Sequence, residues 1–132
     1  MNTNYEDTSK LILRFTVGFL MLFHGISKLS HGVSFLEGMF TNVGLPAFMA
    51  YGAYLGEVLA PIMLIIGFKV RIASLLIIAT MIGAIVLAHA GDIFTITQHG
   101  AWAIETPIFY ALASLTILLQ GAGKYSLDNY TK

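Results

Sequence analysis

Four apolar runs separated by polar breaks organise this chain. The first extends from about Leu11 to Leu29, the second from Leu45 to Phe68, the third from Val70 to Ala90 and the fourth from Ala101 to Leu119. Each approaches the roughly 20 residues that carry a helix across about 30 Å of hydrocarbon at 1.5 Å per residue. Hydrocarbon offers the backbone no hydrogen-bond partner, so runs of this length read as helices. The break between the second and third runs, Gly67 to Arg71, is short enough to require an antiparallel hairpin. Between the first and second, Val33, Leu36, Met39, Phe40 and Val43 recur among polar residues, a spacing that predicts a short interfacial helix ended by Gly44-Leu45-Pro46. The stretch from Gly91 to Gly100 is polar and reads as irregular. The predicted fold is an all-α membrane protein: one domain over residues 1–132, a four-transmembrane-helix bundle with a short interfacial helix between helices 1 and 2.

Composition agrees with that class. Hydrophobic residues make up 57% of the 132 positions and charged residues only 11%, against about 25% in soluble domains. The lipid bilayer is thus the first expected partner. Zero formal net charge removes the electrostatic argument for a nucleic-acid partner. The absence of cysteine excludes disulfides and thiol chemistry within the chain. The polar first ten residues, with no small-residue cleavage site after the apolar run, point to a retained first helix rather than a signal peptide. If the N-terminus, the Lys69/Arg71 hairpin and the C-terminus share one side, that side holds Lys10, Arg14, Lys69, Arg71, Lys124 and Lys132, six of the seven basic residues. The positive-inside rule then makes both termini cytoplasmic.

Candidate chemistry gathers toward the opposite side, where His24, His31, His89, His99, Lys28, Glu37, Asp92 and Glu105 fall, with Glu57 deeper. A charge in the bilayer costs about 2.5–3.5 kcal/mol on insertion scales, so such residues face the bundle interior and pair. On the first helix Arg14, Gly18, Met21, Gly25 and Lys28 share a stripe of roughly 80°. On the second, Tyr54, Glu57, Pro61, Leu64 and Phe68 share a face beside a small-residue row of Gly52, Gly56 and Ala60. On the fourth, Glu105, Phe109, Leu112, Thr116 and Gln120 align. One outward-opening polar pocket built by His24, Lys28, Glu57, His89 and Glu105 is the sharp reading; interhelical glue is the plain one, and the better one for Arg14. No His-x3-His or His-Glu motif marks a metal site. Gly121-Ala122-Gly123-Lys124 lacks the spacing of a phosphate loop and reads as a glycine-capped helix end.

The order Arg14-x3-Gly18-x5-His24-Gly25-x2-Lys28-Leu29, then Gly44-Leu45-Pro46, Gly56-Glu57-x3-Pro61-x5-Gly67 with Arg71, and Gly121-x-Gly123-x2-Ser126-Leu127-Asp128 resembles the DoxX family of small bacterial inner-membrane proteins across nearly the whole chain. The resemblance implies association with membrane oxidoreductases, some of them quinone-linked. With no cysteine here, sulfur chemistry would reside on a partner subunit. The leading expectation is therefore a quinone-linked oxidoreductase subunit. Glu57, His24 and Glu105 are its candidate proton-handling residues, and Lys28, Tyr54, His89 and Trp102 would surround the quinone. The alternatives are a small transporter or lipid-binding module, dimerising through the Gly52/Gly56 face, and a scaffold of a membrane complex. Expected partners are a membrane or soluble oxidoreductase and, as a homo-oligomer, further copies of the chain.

Overall fold

A computed structural model describes residues 3–132, all of whose long elements are helical. Helix α1 spans Thr3–His31 and α2 spans Ser34–Asn42. A continuous helical segment, α3, runs Ala47–Ile66. It is mixed along its length: a 3₁₀ turn at Ala47–Tyr51, an α stretch at Gly52–Tyr54, a π turn at Leu55–Leu59 and regular α-helix at Ala60–Ile66. Helices α4 (Val70–Ala88), α5 (Glu105–Gln120) and the short α6 (Leu127–Tyr130) follow.

Three of these, α1, α3 and α4, are long and apolar enough to cross a membrane. At 16 residues α5 is about 24 Å long, short of a full hydrocarbon core. It begins four residues later than the apolar run does. Ala101–Ile104 are instead drawn into a small antiparallel bridge between Ile96 and Trp102, closed by Thr97 N–H to Ala101 O (2.7 Å) and Ala103 N–H to Thr95 O (3.0 Å). In the other direction, α1 begins well before Leu11, because the polar stretch of residues 3–10 continues the same helix by about two turns. The expected helix between the first two long helices is present as α2. Gly121 ends α5 with φ +79°, as the glycine-cap reading predicts.

The packed interior is Val17 and Met21 of α1, Ala60, Met63 and Leu64 of α3, Val70, Ala73, Ile77 and Met81 of α4, and Ile117 of α5. Around it lies an apolar exterior that includes Phe15, Phe19, Phe23, Ile62, Leu75, Ile82, Phe109 and Leu119. A surface this apolar requires a lipid solvent. The stripe expected on α1 is the buried one, with Arg14, Gly18, Met21 and Gly25 inside. On α3, Glu57, Pro61 and Leu64 are buried, but Phe68 is exposed because Gly67 has already ended the helix.

The start of α1, the C-terminal segment and the α3–α4 turn meet at one end of the bundle. Asp128 accepts the amides of Lys69 (2.6 Å) and Val70 (2.9 Å), and its own amide donates to Gly67 O (2.8 Å). Asp7 accepts the Lys124 amide (3.0 Å). Arg14, 1% exposed, donates to the carbonyls of Leu64 (3.0 Å) and Tyr125, tying α1 to the end of α3 and to the C-terminal segment. It is structural glue at this end. Gly67 makes the junction possible: its φ is +77°, and a Cβ there would run into Arg14 and Ser126.

Candidate functional site

At the opposite end, α1, α3, α4 and α5 enclose a cavity of about 830 Å³ that α2 covers on one side. Its walls are mostly apolar. Met21, Met39, Met49 and Met81 contribute four flexible thioethers, and Phe35, Leu36 and Phe40 come from α2. Methionine and aromatic side chains adapt to flat or irregular apolar ligands at small cost.

Polar groups enter this space at few points. Lys28 Nζ lies 2.7 Å from Glu57 Oε1, the side chains being 17% and 7% exposed. Among the described residues they are the only Lys, Arg, Asp or Glu lining the cavity. Opposite charges in hydrocarbon must pair in this way, since an isolated one would be expensive. Tyr54 donates from its hydroxyl to Lys28 O at 3.2 Å, so it steadies the end of α1 from outside the cavity wall. His24, one turn before Lys28, stands edge-on to the Tyr110 ring of α5, centroids 5.9 Å apart at 88°. His89 ends α4 and reaches the cavity, with Nδ1 3.2 Å from Asp92 Oδ2. Thr80, Thr106 and Tyr110 complete the polar lining.

The structure thus brings His24, Lys28, Glu57 and His89 together. Glu105 and Trp102 it places elsewhere, on a separate surface depression of about 370 Å³ with Phe109, Leu112 and Thr116. Those α5 residues do share a face, as their spacing requires, but it is the outward one; α5 presents Thr106, Pro107 and Tyr110 to the cavity instead. Tyr110, Thr80, Met49 and Met81 are not legible as lining residues in the sequence because, taken singly, each resembles a residue of any apolar helix. The i, i+3 relation of Met21 to His24, and of Pro107 to Tyr110, is the signal that would have linked them.

The small-residue row of α3 is also used within the chain. A Cβ on Gly56 would strike Thr80 of α4, whereas Gly52 faces open space. Gly56 is therefore part of the α3–α4 contact within the chain.

The DoxX family model matches residues 9–90, which hold most of α1, all of α2, α3 and α4, and the Lys28–Glu57 pair. The chain is 35% identical over 86 residues to the Bacillus subtilis (strain 168) protein named "Putative oxidoreductase CatD", a match covering 65% of this chain and 63% of that protein. It is 28% identical over 129 residues to the uncharacterized membrane protein Rv3486 of Mycobacterium tuberculosis (strain ATCC 25618 / H37Rv), covering 91% of this chain and 79% of that one. No solved structure matches the chain. With its three long apolar helices and a family match over more than half of its length, this multi-pass membrane protein belongs to the DoxX family.

Proposed function

We propose that this chain is a quinone-linked subunit of a membrane oxidoreductase, and that the cavity beside Lys28 and Glu57 holds the quinone head. The observation that carries the reading is the pairing of a large apolar cavity with one internally neutralised ion pair. An anionic or cationic ligand would have to break that pair in a poorly solvated space. A neutral ligand need not: Lys28 keeps two N–H donors for a carbonyl oxygen, and Glu57 keeps one carboxylate oxygen to accept a hydroxyl proton. The cavity volume suits an aromatic head with the first part of an apolar tail.

A bound quinone supplies a carrier of two electrons and two protons. The protein's share is to orient the head by hydrogen bonds, exclude water with the methionine and phenylalanine walls, and pass protons between Glu57, His24 and the aqueous face. Electrons would come from an oxidoreductase partner, a role consistent with the name carried by the Bacillus subtilis relative. In this reading α5, though short, completes a four-helix transmembrane bundle in a bacterial inner membrane. The basic end, with both termini, faces the cytoplasm and the cavity opens toward the other side.

The test is mass spectrometry of lipids extracted from protein purified gently from its native membrane, wild type beside Glu57→Gln. The expected result is near-stoichiometric quinone in the wild type and its loss in the variant. Quinone at the bulk-lipid ratio in both samples would sink the proposal.

A further inference from the structure

The π turn that carries Glu57 has an identifiable cause. In a regular α-helix the amide of residue 61 would bond to the carbonyl of residue 57. Pro61 has no amide hydrogen, and its ring presses on that same carbonyl. The helix widens just before it: Leu55–Leu59 is a π turn, and the Ala60 amide bonds five residues back to Leu55 O. Such turns are uncommon and recur at functional sites.

Helix α1 is shaped to receive the displaced carbonyl. A Cβ on Gly25 would collide with Glu57 O, so only a residue without a side chain fits there. One turn further, on the same face of α1, Lys28 takes the Glu57 carboxylate. Glu57 is therefore gripped twice by one face of α1, at its backbone through Gly25 and at its side chain through Lys28. Thr80, seated against Gly56, closes the turn from the α4 side.

We propose that Pro61 and Gly25 are positioning residues whose combined effect, the π turn, aims the Glu57 carboxylate at Lys28 inside the cavity. A π turn holds about one residue more than an α turn, so relaxing it to regular α-helix rotates the segment before it by roughly 100° about the axis. Glu57, inside the turn, is carried part of that way, and its carboxylate turns away from Lys28. The functional importance of this aim rests on the quinone reading above, but the geometry can be tested without any quinone.

The test is a double-mutant cycle on the ion pair, read as melting temperature in a mild detergent. Lys28→Met, Glu57→Gln and the double variant are compared in the wild-type, Pro61→Ala and Gly25→Ala backgrounds. Pro46→Ala, a proline outside the cavity at the start of α3, serves as control. In the wild type and the control, the two single changes should be strongly non-additive. In Pro61→Ala and in Gly25→Ala they should become additive, whatever the overall melting temperature does. A merely structural role would lower every melting temperature and leave the coupling intact. Coupling retained in both variants overturns the proposal; the Gly25 background decides if Pro61→Ala does not fold. Loss of quinone retention does not enter this readout, so the two hypotheses fail separately.

Discussion

The Asp128 carboxylate sits on the first turn of α4 and accepts the Val70 amide at 2.9 Å, a helix cap supplied from 58 residues away. Its other oxygen takes the Lys69 amide at 2.6 Å. A carboxylate at a helix N-terminus satisfies orphan amides and meets the positive end of the helix dipole. Asp128→Ala should cost about 1–2 kcal/mol, the usual worth of a good N-cap. Asp128→Asn, which keeps an acceptor but not the charge, should cost less. Thermal unfolding of the three proteins checks the order, and equal loss in both variants would show that the charge is what matters.

Arg14 performs the matching task for α1. Its guanidinium holds the Leu64 and Tyr125 carbonyls at once, a geometry that a single lysine amine cannot copy. Arg14→Met should destabilise the protein by about 2–3 kcal/mol. The C-terminal segment should also detach, so trypsin would cut after Lys124 faster than in the wild type. Unchanged cleavage would show that Asp7 and Asp128 hold the segment by themselves.

Gly56 and Thr80 make a steric pair that a rescue experiment can isolate. A Cβ on Gly56 would stand 2.6 Å from Thr80 Cβ, so Gly56→Ala should cost about 1–3 kcal/mol through overpacking. Thr80→Gly in the same chain should recover part of the loss. Thr80→Ala removes the hydroxyl, the nearest clashing atom, but keeps the Cβ, so it should recover less than Thr80→Gly.

Filling the cavity should separate binding from stability. Ala84, half-buried on α4, lines the cavity. Ala84→Phe should reduce quinone retention by roughly tenfold or more, the equivalent of about 1.4 kcal/mol, while the melting temperature holds or rises. Ala113→Phe, at the separate depression on α5, should leave retention unchanged. Equal retention in both variants would move the ligand out of this cavity.

The hydrophobic pattern alone determined the membrane class, the long helices, the tight hairpin, the short helix after the first long one and the buried stripe of α1. It could do so because lipid demands apolar length, and because charges in lipid must turn inward. His24, Lys28, Glu57 and His89 followed from that second rule. The facing of α5 did not. That helix is apolar on nearly every side, so the alignment of Glu105 with Phe109, Leu112 and Thr116 was legible but not which way it pointed. Only packing against α4 decided it. The bridge between Ile96 and Trp102 likewise took residues from an apolar run that hydropathy alone would continue as helix. Most of all, the π turn at Leu55–Leu59 needed the tertiary structure. Pro61 announced a disturbance in the sequence, but that α3 widens rather than kinks or breaks, with Gly25 of α1 against Glu57 and Thr80 of α4 against Gly56, is visible only in the tertiary structure.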